Sequence, residues 1–229
     1  MNNFLQLKNI SKSFKAEKKI KVLKNLSYNF SKGKIYSLMG PSGSGKSTLL
    51  NLISLIDRPT IGNIKFNNTP INFNQNKIND IFRAKNIGII YQENNLLPDF
   101  TALENVYLAN LSISNNKDLA LSKAENLLKK VGLSNRLDHF PSQLSGGESQ
   151  RVAISRAIIN DPEIILADEP TGSLDFKNAK EVFKILFKLK NTKRLIIFAT
   201  HNRYFANMAD CKIELINGKI KTINGIYKK

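Results

Sequence analysis

The sequence predicts an α/β fold in which a mostly parallel sheet is covered by helices and interrupted by a helical lobe. Three observations predict it. The apolar run Ile35-Tyr36-Ser37-Leu38-Met39 passes straight into a glycine-rich turn at Gly40, and helical spacing follows over residues 47–56. From about Gln92 to Asn160 the apolar spacing is helical. Strands and helices then alternate again to the end, the order that builds a parallel sheet.

Leu5, Leu7 and Ile10 mark an opening strand, and Leu26-Ser27-Tyr28-Asn29-Phe30 alternates apolar and polar as a half-buried strand does. Residues 62–66 and 87–91 read as further strands. Within the lobe, Thr101 and Glu104 form a capping box opening a helix over 103–111. Leu121, Ala124, Leu127, Leu128 and Val131 place a second helix over 119–131. Ser145-Gly146-Gly147-Glu148 is another capping-box pattern, followed by a helix over 150–159. The last third gives a strand over 163–167, a helix over 179–189, a strand over 194–199 and a short helix over 203–209. Asn217-Gly218 then joins two strands as a hairpin turn. The organisation expected is one domain over residues 1–229, with a core of about 1–91 and 161–229 and a helical lobe of about 92–160.

At 229 residues and 41% hydrophobic composition the chain can build a real core, which excludes wholesale disorder. No apolar run approaches the roughly 18 residues of a membrane span. The start, Met1-Asn2-Asn3-Phe4, lacks the charged and apolar regions of a secretory signal. Cys211 is the single cysteine, so an internal disulfide framework is excluded and a reducing compartment suits the chain. A formal charge of +17 fits a surface for nucleic acid or anionic lipid. Arginine stands only at 58, 83, 136, 151, 156, 194 and 203, and the lysine and asparagine richness reads as a compositional bias spread through all segments.

Gly40-Pro41-Ser42-Gly43-Ser44-Gly45-Lys46-Ser47-Thr48 matches the phosphate-binding pattern G-x-x-x-x-G-K-[ST], with the strand before and the helix after that the pattern requires. Its glycines let backbone N–H groups converge on a polyphosphate, and the helix N-terminus adds partial positive charge. Lys46 is the residue to reach the β- and γ-phosphates, and Ser47 the one to ligate Mg²⁺. A flexible Gly/Ser linker would not place a lysine and two periodic flanks there. Ile164-Ile165-Leu166-Ala167 ends in Asp168-Glu169, so a buried strand delivers two acids to the mouth of the sheet. Asp168 suits a Mg²⁺ shell and Glu169 a general base on water. Alone, two such acids would read as a solvated loop.

Leu144-Ser145-Gly146-Gly147-Glu148, between these two motifs and at a helix start, resembles the signature of ABC ATPases. By itself Ser-Gly-Gly is only a helix cap with small residues. The resemblance covers residues 5–223 and implies a P-loop NTPase fold with a mostly parallel sheet, an antiparallel β subdomain and an inserted helical lobe. It also implies ATP and Mg²⁺ as cofactors and a homodimer in which Ser145, Gly146 and Gly147 of one subunit close on the ATP held by the other. Gln92 is similar to the Q-loop glutamine, a Mg²⁺ contact that senses the membrane subunit. Asp175, in Ser173-Leu174-Asp175, is similar to the D-loop aspartate, and His201 to the switch histidine near the γ-phosphate. Phe14 stands where the family places an adenine-stacking aromatic, more often a tyrosine. Read singly, Gln92 could be a loop amide, His201 a capping imidazole and Phe14 a core residue. His139 has no motif around it and reads as a surface residue.

The stretch from Tyr91 to Val106, with Gln92-Glu93-Asn94-Asn95-Leu96-Leu97-Pro98-Asp99-Phe100, looks like the Q-loop region of the lipoprotein-releasing (Lol) ATPases. Thr171-Gly172-Ser173 is similar to that group and to the macrolide-exporter and FtsE-type ATPases. Ser149 departs from the arginine or glutamine common after the signature glutamate, and the lysine-rich stretch 15–21 matches no motif. The expectation is an ATP-hydrolysing subunit driving lipoprotein release, held at the cytoplasmic face of a bacterial inner membrane by LolC/LolE-like permease subunits, with no direct nucleic-acid contact. A macrolide-type exporter or FtsE-type ATPase is the alternative. An ABC ATPase acting on DNA or ribosomes fits less well. The chain has no sustained heptads and only one P-loop and one signature.

Overall fold

The structure, a computed structural model, describes residues 4–15 and 19–223. Residues 1–3, the start of the segment read as lacking a secretory signal, and 16–18, inside the lysine-rich stretch, lie outside the described residues. The chain opens with β1 (Leu5–Lys15), β2 (Lys19–Phe30), β3 (Ile35–Met39), α1 (Lys46–Ile53), β4 (Ile61–Phe66), β5 (Thr69–Pro70) and α2 (Asn76–Asn86). It continues through β6 (Ile87–Ile90), α3 (Ala102–Leu111), α4 (Lys117–Lys130), α5 (Gly146–Ile158), β7 (Ile164–Asp168) and α6 (Phe176–Lys188). It ends with β8 (Leu195–Ala199), α7 (Arg203–Ala206), β9 (Cys211–Ile216) and β10 (Lys219–Ile223).

Two compact units result, one of Met1–Asp80 with Lys190–Lys229 and one of Ile81–Leu189. In unit 1, β2, β1, β4 and β5 form an antiparallel sheet in that order. Its apolar side chains pair across the register, Leu5 facing Phe30 and Phe66 while Leu7 faces Tyr28 and Ile64. A second sheet has β3 at its centre, parallel to both β8 and β9, with β10 closing the Asn217-Gly218 hairpin antiparallel to β9. Central β3 and β8 are apolar along most of their length because both faces are covered. Asp210 tethers the entry to β3, accepting from the Ile35 N–H at 2.7 Å and from Lys190 Nζ at 2.6 Å.

In unit 2, β6 and β7 pair in parallel, and α3, α4 and α5 intervene between them in the chain. Ala102, Val106, Ala124, Leu128, Leu133, Val152 and Ile159 make the helical core. The expected capping box at Thr101 is present, its hydroxyl accepting from Glu104 N–H and the Glu104 carboxylate from Thr101 N–H.

The structure departs from the sequence reading at helix α2 and strand β5, which were not expected, and in further details. The helix after the glycine loop ends at Ile53, with Leu55 at φ 61° breaking it. The helix expected over 150–159 starts at Gly146, because Ser145 caps it directly. Lysine occurs in both units as expected, but the net charge is uneven: unit 1 carries 22 Lys and Arg against 5 Asp and Glu, and unit 2 carries 13 of each. The whole +17 excess therefore belongs to unit 1.

Candidate functional site

The C-terminal end of β3 opens into Gly40, whose φ is 148° and whose hypothetical Cβ would stand 2.3 Å from the Leu215 carbonyl oxygen. Only glycine fits there. Gly43 and Gly45 follow at φ 74° and 101°. A Cβ on Gly43 would meet nothing within 4 Å, so its backbone lines an open concavity. Gly45 packs against Val22 Cγ1 and Leu23 Cδ2, which hold the loop on β2. Lys46 lies along the loop, Nζ donating to the carbonyls of Gly40 at 2.9 Å and Pro41 at 3.2 Å. Helix α1 has Gly45 at its N-cap and no side-chain cap, so its first N–H groups keep their donor capacity and partial positive charge.

The residues present fit a bound phosphate group. Pro41, Ser42 and Ser47 are exposed, and Thr48 is half-buried. Ser44 Oγ is buried without a hydrogen-bond partner, a cost of about 1–3 kcal/mol that a ligand oxygen would relieve. In the same unit Phe14 is 44% exposed, not a core residue, with Lys12 Nζ 4.9 Å from its ring centroid. Lys12 is fixed by Asp57 Oδ1 at 2.6 Å and by the Arg58 carbonyl at 2.9 Å. Ile20, opposite Phe14 in the register and exposed, extends this apolar strip towards Val22. Motif matching missed Ile20 and Val22, because only strand pairing places them there. His201 is exposed just beyond β8, where Thr200 donates its N–H to the Leu38 carbonyl and accepts from Asn202 N–H through Oγ1.

In unit 2, β7 delivers Asp168 half-buried at its end, and Glu169 follows at φ 46°. A left-handed glutamate is uncommon and costs about 1–2 kcal/mol. It turns the chain so that Gly172 N–H reaches the Glu169 carbonyl at 3.0 Å. The Gln92 side chain lies against this turn: a Cβ on Gly172 would come 2.9 Å from Gln92 Nε2. Burial raises the pKa of neighbouring Tyr91, partly opposed by Arg156 and Arg83 and reinforced by Asp168. Helix α5 holds this loop. Gln150 Nε2 donates to the Tyr91 carbonyl at 3.3 Å, and Arg156 donates to the carbonyls of Asn94 and Asn95 at 2.8 and 2.7 Å. These two tethers carry no motif and were not legible in sequence.

The N-terminus of α5 is built by Ser145 and Glu148. Ser145 Oγ accepts from Glu148 N–H at 3.3 Å and Glu148 Oε2 from Ser145 N–H at 2.8 Å. Arg136 Nε donates to Glu148 Oε1 at 2.9 Å, and Arg136 Nη1 lies 3.5 Å from Nε2 of the half-buried His139. The Ser145 backbone donor and then Arg136 lower the Glu148 pKa to about 2. Exposed Gly146 is packed by Leu174, and buried Gly147 by Asn178. Asp175 caps α6, accepting from the Asn178 N–H at 2.9 Å, which lowers its pKa. The structure thus brings Gln92 to the turn after Asp168-Glu169, and Ser173-Leu174-Asp175 to Ser145-Gly146-Gly147.

A family profile described as "ABC transporter" matches residues 23–172. The chain belongs to the ABC transporter family. It is the ATP-binding, ATP-hydrolysing subunit of such a transporter. Lipoprotein-releasing system ATP-binding protein LolD of Wigglesworthia glossinidia brevipalpis is 43% identical over 237 residues, covering 100% of this chain and 99% of the relative. LolD of Rickettsia bellii (strain RML369-C) is 42% identical, covering 96% and 98%. Among solved structures, the ATP-binding cassette MJ0796, in a dimeric post-hydrolysis state bound to ADP and Pi, superposes with a TM-score of 0.88 at 37% identity. That match covers 97% of this chain and 100% of the other. Among the described residues no helix is long and apolar enough to cross a membrane.

Proposed function

We propose that this ATPase subunit drives release of lipoproteins from an inner membrane, working as a homodimer on permease subunits of the LolC/LolE type and bound peripherally at the cytoplasmic face. The observation that carries the cargo assignment is end-to-end similarity to LolD proteins, with Gln92 and its flanks included. The core of about 1–91 and 161–229 and the lobe of about 92–160 are the proposed working parts.

In this reading Gly40, Pro41, Ser42, Gly43, Ser44, Gly45, Lys46 and Thr48 bind the phosphates, and Phe14 stacks on the base. Glu169 takes a proton from the attacking water, and Gln92 orients that water beside it. His201 steadies the γ-phosphate. Ser145, Gly146 and Gly147, with Asp175, meet the nucleotide held by the second copy. Ser47, Gln92 and Asp168 are the oxygen donors for Mg²⁺, which supplies charge neutralisation to the transferring phosphoryl group. No cluster of three metal-ligating acid, His or Cys side chains exists among the described residues, and one carboxylate with phosphate oxygens is how Mg²⁺ is usually held.

Glu169→Gln is expected to bind ATP with unchanged affinity and to hydrolyse it about 10²–10⁴-fold more slowly, trapping dimers visible by gel filtration. Turnover at the normal rate would remove Glu169 from the chemistry. Lys46→Ala is expected to weaken nucleotide binding at least tenfold in equilibrium titration, and an unchanged Kd would count against the loop assignment. Affinity purification from gently solubilised membranes tests the cargo. Co-purification of a permease together with lipoprotein supports the proposal, and a drug-efflux or cell-division partner replaces it.

A further inference from the structure

We propose that unit 2 carries a second ligand site, separate from the nucleotide chemistry, for a small hydroxyl-bearing phosphate ester. A cavity of about 440 Å³ is lined by residues from the end of α3, from α4 and from the end of α5. That volume lies in the range of small-molecule sites, about 300–1,000 Å³.

The deep wall of the cavity is a fixed amide pair. Both Nδ2 protons of Asn160 are used, donated to the carbonyls of Ala84 at 2.9 Å and Ala109 at 3.0 Å. Its Oδ1 must therefore accept, and it does so from Asn110 Nδ2 at 2.8 Å. This chain of bonds fixes the Asn110 amide too, because turning it over would set two oxygens against each other. Asn110 Oδ1 is left buried and without a partner, in a residue only 1% exposed. An unpartnered acceptor calls for a donor, and because Asn110 lines the cavity, a hydroxyl entering there reaches its closed-off Oδ1 once the lining side chains give way.

The rim supplies the opposite requirement. Lys123 and Lys130 stand seven residues apart on α4, two turns along the same face and about 10.5 Å along its axis. Both line the cavity, and neither has an ion pair among the described residues. Ile113, Leu127 and Ile158 are the apolar wall between rim and depth. Asp161 at the same rim disfavours a large polyanion and favours a ligand with a single phosphate. The occupant defined by these groups has a hydroxyl for Asn110, a short carbon body and a phosphate held by the lysines. Phosphoglycerol has that chemistry, whether free or as the headgroup of phosphatidylglycerol.

The test follows the side-chain amide NMR signals of Asn110 and Asn126 while sn-glycerol 3-phosphate is added to full-length protein saturated with ADP. Saturable shifts with a Kd of millimolar or tighter are expected. They should weaken at least tenfold in the surface double variant Lys123→Ala/Lys130→Ala and stay within twofold in Lys46→Ala. Absence of shifts, as a trapped water alone on Asn110 would give, overturns the site. So do shifts that ADP abolishes or that the double variant leaves unchanged. Co-sedimentation with phosphatidylglycerol vesicles that is lost in the double variant identifies the headgroup as source. Saturable binding of the free ester without vesicle binding identifies a soluble metabolite.

Discussion

Glu148 shows how much one side chain can hold at the start of a helix. It closes the capping box on Ser145 and receives Arg136, and these contacts lower its pKa to about 2 from an ordinary carboxylate value. A depressed folded-state pKa means that the unfolded chain takes up the proton first. The stability it provides is complete above about pH 4.5 and is lost as pH falls towards 2. Glu148→Gln keeps a carbonyl acceptor for Ser145 N–H but has nothing to titrate. In thermal melts between about pH 5 and pH 2 the wild type should therefore lose more Tm than the variant, and at pH 7 the variant should be about 1 kcal/mol less stable. Parallel pH curves for the two proteins would show that the box contributes nothing through charge. Glu169 is the opposite case: its left-handed φ of 46° gives up local stability, as residues at reactive sites do when the surrounding chain fixes them.

At the scale of elements, periodicity was legible wherever an element buries one face, and it failed where the burial is unusual. Strand β3 was read to its exact bounds because five successive positions are apolar or small. Helix α2 was not expected, although Ile78, Ile81 and Phe82 stand at helical spacing; the structure leaves both isoleucines exposed and buries Asn79, held by the carbonyl of Asn72. Helix α5 was expected over 150–159, yet it takes in both glycines from Gly146, and Gly147 lies close against the Asn178 side chain. Each candidate-site motif could be found as a string, whereas the tethers Gln150 and Arg156 exist only in three dimensions. The glycine loop permits a separation of folding from binding. Gly40→Ala combines a φ of 148° with a 2.3 Å approach to backbone and should cost about 2 kcal/mol or more in denaturant unfolding. Gly43→Ala, at φ 74° in open space, should cost only about 1 kcal/mol while weakening nucleotide binding at least tenfold, because the methyl enters the concavity. Equal losses of stability in the two variants would contradict this division.

For the whole molecule the governing fact is where the charge lies. Compositional bias would load both units alike, yet the unit with 13 acids to 13 bases is neutral and the unit with the phosphate loop carries all of the +17. A field of that sign around the loop attracts a nucleotide polyanion before any contact forms, and its reach is the Debye length, about 10 Å at 0.1 M salt. Steering acts on encounter and not on the formed complex, so its signature is kinetic. In stopped-flow measurements with a fluorescent ATP analogue, kon should fall several-fold as KCl rises from about 25 to about 250 mM, while koff changes by less than about twofold. Lys8 and Lys65 lie on the antiparallel sheet of unit 1, outside the loop and outside any contact assigned to nucleotide. Lys8→Glu/Lys65→Glu removes four units of charge from that field and should lower kon about two- to threefold at low salt and not at all at high salt. If kon in both proteins is indifferent to salt, the basic unit does not steer nucleotide. If koff carries the salt dependence, the lysines act on the bound complex and not on its approach.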